Sequence, residues 1–161
     1  MKHALATALL TAVFLTPAIE AVRAEPGPDI LKVPRRGTKA YAAMAGGYQE
    51  SIAPVLEAKC ADCHTTRTRF PWYYRMPLAK GMIDLDIRKA RKALDLTGGF
   101  PFAGVGTTAD HVSALRDVAL DGSMPPFRYV VMHWSAKLTK AERDSIVAWA
   151  EGKPPNALTK K

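Results

Sequence analysis

Apolar residues in the last two thirds of the chain recur mainly at intervals of three and four, which is the spacing of one face of an α-helix. The segment from Ala79 to Leu94 carries one such stripe, and a second follows between Thr107 and Gly122. No segment alternates strictly between apolar and polar residues, as a half-buried strand does. The pattern predicts an all-α protein. The predicted buried faces comprise Ile83, Ile87, Ala90 and Leu94 in one helix and Val112, Leu115, Val118 and Ala119 in the next.

Local end signals define further helices. Thr139 and Glu142 have the spacing of a capping box, and the helix that they begin should end at Gly152 and Pro154, with Ile146, Trp149 and Ala150 as its apolar side. Another helix is expected between Lys39 and Lys59, interrupted at Gly46-Gly47 and near Pro54, with Ile52, Val55 and Leu56 buried. That segment leads directly into Cys60.

The two ends of the chain differ from this helical centre. Residues 1–24 have a positive start, an apolar run of about a dozen residues and a small-residue cleavage site, which together predict a secretory signal peptide. The run is shorter than the roughly 20 residues that span a bilayer, so no transmembrane segment is expected after cleavage, and an uncleaved signal retained as an anchor is the alternative. Residues 25–38 form an extended Pro- and Gly-rich segment, residues 39–152 one domain, and residues 153–161 a tail.

The charge balance restricts the class of partner. The chain carries 23 Lys and Arg against 15 Asp and Glu, a formal net charge of +8. A basic surface attracts proteins with acidic docking surfaces, and nucleic acid is the generic alternative. Export argues against nucleic acid as the partner.

The chemistry is concentrated in Cys60-Ala61-Asp62-Cys63-His64, which contains both cysteines of the chain. Cys-x-x-Cys-His is the attachment pattern of c-type haem: each thiol can form a thioether with a vinyl group, and the histidine can supply the proximal nitrogen to iron. A thioredoxin-like redox pair, half of a zinc site or a structural disulfide are the other uses of two such cysteines. Because haem is attached outside the cytoplasm, export and this motif agree, and they predict a periplasmic protein.

A second signal is Met124, which precedes Pro125-Pro126. Its thioether is a soft donor suited to the other face of haem iron, and the following proline restrains its backbone. Most methionines are ordinary core residues, and His133 is a rival ligand. An open iron is also compatible with the sequence, and the remaining rivals are Met76, Met82 and Met132.

A loop over residues 65–78 is rich in aromatic and arginine side chains. We interpret it as a wall of the haem site, in which Trp72 or Tyr73 contacts the ring and Arg75 pairs with a propionate. Core packing and solvated charge are the plainer explanation of the same residues.

These motifs in this order resemble monohaem class I-like cytochromes c, and more closely the bacterial haem-binding domain family of cytochrome c type. The similarity rests on Cys60–His64, Pro71-Trp72-Tyr73, Met124-Pro125, Tyr129, His133 through Thr139 and Trp149-Ala150, and it extends over about residues 50–152. It departs from the family at Ala90-Arg91, where the family has Gly-Arg, and over 97–110.

The resemblance implies a cytochrome c-like fold, with helices and long loops around one haem c held by Cys60 and Cys63, and with His64 and Met124 as axial ligands. It also implies a periplasmic carrier of single electrons between redox partner proteins rather than an enzyme. A haem enzyme or a small-ligand sensor with an open or labile distal iron site is the alternative.

Overall fold

The structure, a computed structural model, describes residues 31–155. The predicted signal peptide and residues 156–161 of the predicted tail lie outside this range. The described helices are α1 Lys39–Gly47, α2 Ala53–Lys59, α3 Ala61–His64, α4 Pro77–Ala93, α5 Thr108–Asp121, α6 Phe127–Met132 and α7 Lys140–Ala150. Short 3₁₀ segments cover Trp72–Arg75 and Trp134–Ala136.

The prediction of an all-α fold is confirmed, since the described residues contain helices and loops and no strand. One isolated bridge pairs Asp95 with Ala103 inside the loop that follows α4. None of the described helices combines the length and the apolar composition needed to cross a bilayer.

Helix ends lie close to where the local signals place them. α5 and α7 each begin with a complete capping box, built on Thr107 with Asp110 and on Thr139 with Glu142. Gly122 adopts the left-handed conformation (φ 69°) that terminates α5. α4 starts two residues before the predicted start and ends at Ala93, one residue before the predicted end.

The predicted break between Lys39 and Lys59 takes the form of a π-helical turn, Tyr48–Ile52, which joins α1 directly to α2. Pro54 occupies the first turn of α2, directly after the π-helical turn, so the helical bond that its missing N–H cannot make falls at this interruption. The helical path therefore continues through the interruption and delivers Cys60 at the end of α2.

The hydrophobic core lies between α1, α2, α5 and α7. Trp149 is its centre: its side chain is 1% exposed, and its indole N–H donates to the backbone oxygen of Met44 at 2.9 Å. The rings of Tyr48, Phe100 and Phe102 surround it at centroid distances of 5.5–6.2 Å. The predicted buried residues of the π-helical turn, α2 and α7 all belong to this core, as do Val112, Leu115 and Ala119 of α5, while Val118 is half-buried.

α4 and α6 are packed differently. Neither contains a fully buried residue. The predicted apolar stripe of α4 is only half-buried at Ile83, Ile87 and Ala90, although Leu94 just beyond the helix is in the core. These two helices flank the Cys60–His64 turn and form the open part of the molecule around a cavity.

Candidate functional site

The turn from Cys60 to His64 is fixed by backbone hydrogen bonds at both ends. The amides of Cys63 and His64 both donate to the oxygen of Cys60, at 3.2 and 3.0 Å. The oxygen of His64 accepts from the amide of Leu96 at 2.8 Å, which ties the turn to the loop after α4. The result is a short helix, α3, that presents two thiols and an imidazole from one segment.

His64 is oriented as a metal-binding histidine. Its Nδ1 lies 2.7 Å from the backbone oxygen of Leu94. Because a carbonyl can only accept, Nδ1 carries the proton, and Nε2 keeps a free lone pair. Burial lowers the pKa of His64, which favours the neutral imidazole. A backbone carbonyl that holds the far nitrogen is the usual support of a histidine bound to a metal.

The two cysteines are free thiols, each half-buried. Burial raises the pKa of Cys60 to about 12, with the neighbouring Cys63 adding to the effect, and burial also raises the pKa of Cys63. A redox dithiol needs a stabilised thiolate, so these environments do not favour a thioredoxin-like use. Within residues 31–155, no group of three or more His, Cys, Asp or Glu side chains is arranged to hold a metal, so a zinc site there lacks further ligands.

A cavity of about 400 Å³ opens beside this turn. Cys60, Cys63, His64 and Met124 all line it, so the structure brings together the four residues that the sequence proposed as tethers and axial ligands. The other lining residues come from the end of α2, from α3, from α4 and from the segment that begins α6: Lys59, Asp62, Asp86, Lys89, Ala90, Ala93, Pro125, Pro126, Arg128 and Tyr129.

The rival ligands do not line this cavity. His133 lines an adjoining small cavity of about 50 Å³, which shares Asp62, Cys63, Asp86 and Tyr129 with the larger one, and its ring stacks on Tyr129 at 4.1 Å. Among the described methionines, Met124 alone lines the larger cavity, while Met76, Met82 and Met132 are exposed.

The aromatic loop is divided between two environments. Tyr73 is half-buried in the small cavity beside Cys63, Tyr129 and His133. Trp72 is 77% exposed and contacts Tyr73 edge-on, and Arg75 is exposed. Neither Trp72 nor Arg75 lines the larger cavity, and their roles at a haem wall stay predictions.

Sequence reasoning did not identify the charged residues that do line the cavity. Lys59, Lys89 and Arg128 are its cations, and Asp62 and Asp86 its carboxylates. Arg128 makes short contacts of 2.7 and 2.8 Å with both oxygens of Asp86. The one signal for them in the sequence is that Arg128 follows the predicted ligand Met124 by four residues. The link from Asp86 on α4 to Arg128 on α6 depends on the tertiary structure.

The residues present fit a covalently held haem. Two thiols, an imidazole with a free Nε2 and one thioether border the same cavity, and cations at its rim can pair with carboxylates.

Comparison with known proteins agrees with this geometry. The family model described as a haem-binding domain matches residues 33–152. A cytochrome c peroxidase, Ccp, of Escherichia coli strain K12 is 33% identical over 97 residues, which are 59% of this chain and 21% of that protein. The chain thus spans about a fifth of the length of this relative. No solved structure matches the chain.

The family match extends over well more than half of the sequence, so the chain belongs to the haem-binding domain family, and the predicted family is confirmed.

Proposed function

We propose that this haem-binding protein is a c-type cytochrome that carries single electrons, with one haem attached through Cys60 and Cys63 and with His64 and Met124 as axial ligands. One observation carries the proposal: the thiols, the imidazole and Met124 border one cavity, although Met124 is 60 positions from His64 in sequence. When bound, haem supplies a reversible one-electron change at iron.

The protein's own residues set the conditions for that change. Leu94 holds the His64 ring and increases its basicity through the hydrogen bond to Nδ1. The Met124 sulfur is a soft donor that, bound to the iron, would favour the reduced state and raise the reduction potential. Lys59, Lys89 and Arg128 are the candidate partners of the haem carboxylates.

The name of the Escherichia coli relative favours a second candidate, a haem enzyme, here one that acts on peroxide, with an open or labile distal iron site. A small-ligand sensor needs the same open site. Both require that Met124 leave the iron or never bind it. The carrier requires that Met124 stay bound in both oxidation states.

Absorption spectra of the haem-loaded protein distinguish the electron carrier from the enzyme or sensor. They are recorded in the oxidised and reduced states, with and without carbon monoxide. We expect a low-spin spectrum with a sulfur-to-iron band and no response to carbon monoxide.

Met124→Ala should remove the band and lower the reduction potential while haem stays attached, and Met132→Ala, at an exposed position, is the matched control. A high-spin spectrum that shifts with carbon monoxide, together with peroxide turnover, would replace the carrier by the enzyme. Loss of the band in His133→Ala alone would move the ligand to His133.

We further propose that the redox partner is a protein with an acidic docking surface and that it docks on α4. Leu78, Met82 and Leu85 are 80%, 50% and 42% exposed and continue with Lys89 and Lys92 along one face at helical spacing. Lys89 also lines the cavity. In residues 31–155, Lys89 and Lys92 form no ion pair, so their charge is free to attract carboxylates.

An electrode coated with mixed carboxylate- and methyl-terminated alkanethiols imitates such a partner. Lys92→Glu, on the same face but outside the cavity, should lower the electron-transfer rate of the adsorbed protein about tenfold, and Lys39→Glu, the same charge change at the exposed start of α1, should not. Equal losses in both variants would show that only net charge matters and would remove the α4 surface from the proposal.

Export to the periplasm also belongs to this proposal. It depends on the signal predicted over residues 1–24, which lies outside the described residues. Fractionation of cells that express the full chain, with a haem stain of each fraction, tests the location and the covalent attachment together.

A further inference from the structure

Asp62 lies between the two cysteines of the attachment motif and links three parts of the chain. One carboxylate oxygen accepts from the backbone amide and from Nε of Arg69, at 3.2 and 3.1 Å. The other accepts from the hydroxyl of Tyr129 on α6, at 3.0 Å. Asp62 is therefore a shared acceptor that joins the attachment motif to Arg69 and to Tyr129.

Tyr129 is held on its other side as well. Its ring stacks on His133 with an angle of 12° between the planes, and Nδ1 of His133 donates to the backbone oxygen of Tyr129 at 3.1 Å. Burial, and next the Asp62 carboxylate, raise the pKa of Tyr129, so the phenol keeps its proton and remains the donor. The hydrogen bond joins sequence positions 67 residues apart.

Apart from this bond, α6 has little to fix it. It contains no buried residue, and Phe127 and Met132 at its ends are 83% and 57% exposed. The ion pair of Arg128 with Asp86 is exposed, with side-chain accessibilities of 58% and 37%, and such pairs contribute little. Lys59 binds the backbone oxygens of Ser135 and Lys137, but these lie after α6.

Only Pro125 and Pro126 separate Met124 from the first residue of α6. Two consecutive prolines restrict the backbone of this connection, so a restraint on α6 is transmitted to Met124. Met124 itself is 42% exposed, and no hydrogen bond from residues 31–155 holds its side chain.

We infer that the hydrogen bond from Tyr129 to Asp62 is a latch that positions Met124 at the haem cavity. This inference rests on the proposed function, in which Met124 is the distal ligand. The segment that supplies the two tethers and His64 would then also restrain the opposite ligand, since Asp62 is part of it. Asp62 and Tyr129 are positioning residues here. They act on the iron through Met124.

Imidazole competition for ferric iron in the haem-loaded protein tests the latch, because imidazole binds only when Met124 leaves. Loss of one hydrogen bond to a charged acceptor should increase the apparent imidazole affinity of Tyr129→Phe about tenfold. The measured signals are the loss of the sulfur-to-iron band and the shift of the main haem band. Asp62→Asn, which keeps an acceptor without the charge, should shift the affinity in the same direction by a smaller factor.

Tyr74→Phe is the matched control. The hydroxyl of Tyr74 also donates to a carboxylate, Asp84, at 2.7 Å, and neither residue lines the cavity. We expect its imidazole affinity to equal that of the wild type. An equal increase in Tyr129→Phe and Tyr74→Phe would overturn the latch and indicate a general loss of stability. No change in Tyr129→Phe and Asp62→Asn would overturn it too. A wild type without the sulfur-to-iron band would instead refute Met124 as the ligand and with it the proposed function.

Discussion

Two halves of this molecule are built by different means. The core half, made of α1, α2, α5 and α7, buries Trp149, Ile52 and Ile146 to 1% exposure or less. The cavity half, made of α4 and α6, contains no fully buried residue and is held largely by polar side-chain contacts such as that of Tyr129 with Asp62. Apolar burial is the dominant favourable term in folding, so the core half has its own source of stability. The cavity half lacks such burial, so we expect its stability to depend on a group bound in the cavity.

The largest expected effect follows from removal of the tethers. In Cys60→Ala/Cys63→Ala no thioether can form, and we expect complete loss of covalently attached haem, measured by haem staining after denaturing electrophoresis. In this variant the amides of α4 and α6 should exchange with solvent about tenfold or more faster than in the loaded protein, because these helices have few buried contacts. Hydrogen-exchange mass spectrometry measures this.

The same experiment includes its own control. Amides of α5 and α7 should keep most of their protection in the variant, since their core does not include the cavity. Equal loss of protection in α5 and α4 would contradict the division into two halves.

A pair of tryptophans gives the next effect. Trp149→Ala removes the centre of the core together with the indole hydrogen bond to the backbone oxygen of Met44, so we expect a loss of about 3–5 kcal/mol in the free energy of unfolding. Trp72→Ala, at a 77% exposed position, should change it by about 0.5 kcal/mol or less. Urea unfolding followed by circular dichroism measures both. Similar losses at the two positions would show that the aromatic loop is part of the core.

Helix starts differ between the halves in the same way. α5 and α7 begin with capping boxes, whereas the N-cap residues of α4 and α6, Met76 and Pro126, provide no side-chain acceptor. Thr139→Ala should cost about 1 kcal/mol, and Met76→Ser should stabilise α4 by up to about 1 kcal/mol. In thermal unfolding, the melting temperature should fall in Thr139→Ala and rise in Met76→Ser. No gain from Met76→Ser would mean that the start of α4 is already satisfied.

The smallest effect concerns Asp95, just after α4, where the halves meet. Burial alone would raise its pKa, but hydrogen bonds from Thr97 and Arg91 lower it below the ordinary 3.8. A lowered folded-state pKa adds stability above the unfolded pKa, and this stability is lost as the pH falls through the folded value. Asp95→Asn should therefore unfold at a lower temperature at pH 6 and lose less stability than the wild type between pH 5 and about pH 3. Parallel curves of unfolding temperature against pH for Asp95→Asn and the wild type would contradict this.

How far the sequence predicts the structure also differs between the halves. α5 and α7 follow from apolar spacing and capping boxes. α6 was not predicted, because six residues after two prolines are too few to show a period. Its position depends on contacts of Arg128 and Tyr129 with residues more than 40 positions away.

The candidate site shows the same limit. The Cys60–His64 motif and Met124 were identified from residue type and spacing, since their chemistry is specific to a few side chains. The carbonyl of Leu94 behind His64 and the carboxylate of Asp62 behind Tyr129 could not be identified, because any residue has a carbonyl and most aspartates are solvated. Sequence patterns thus indicate the ligands, and the tertiary structure shows what holds them.

The π-helical turn Tyr48–Ile52 has a consequence for angular register. An α-helix advances about 100° per residue, so Met44 and Leu56, twelve positions apart, would point about 120° away from each other along an unbroken helix. A π turn accommodates the equivalent of one inserted residue, which reduces the difference to about 20° and returns both side chains to the same core. In evolutionary terms, deletion of one residue here would convert the π turn into ordinary α-helix and keep the register that brings Cys60 to its cavity.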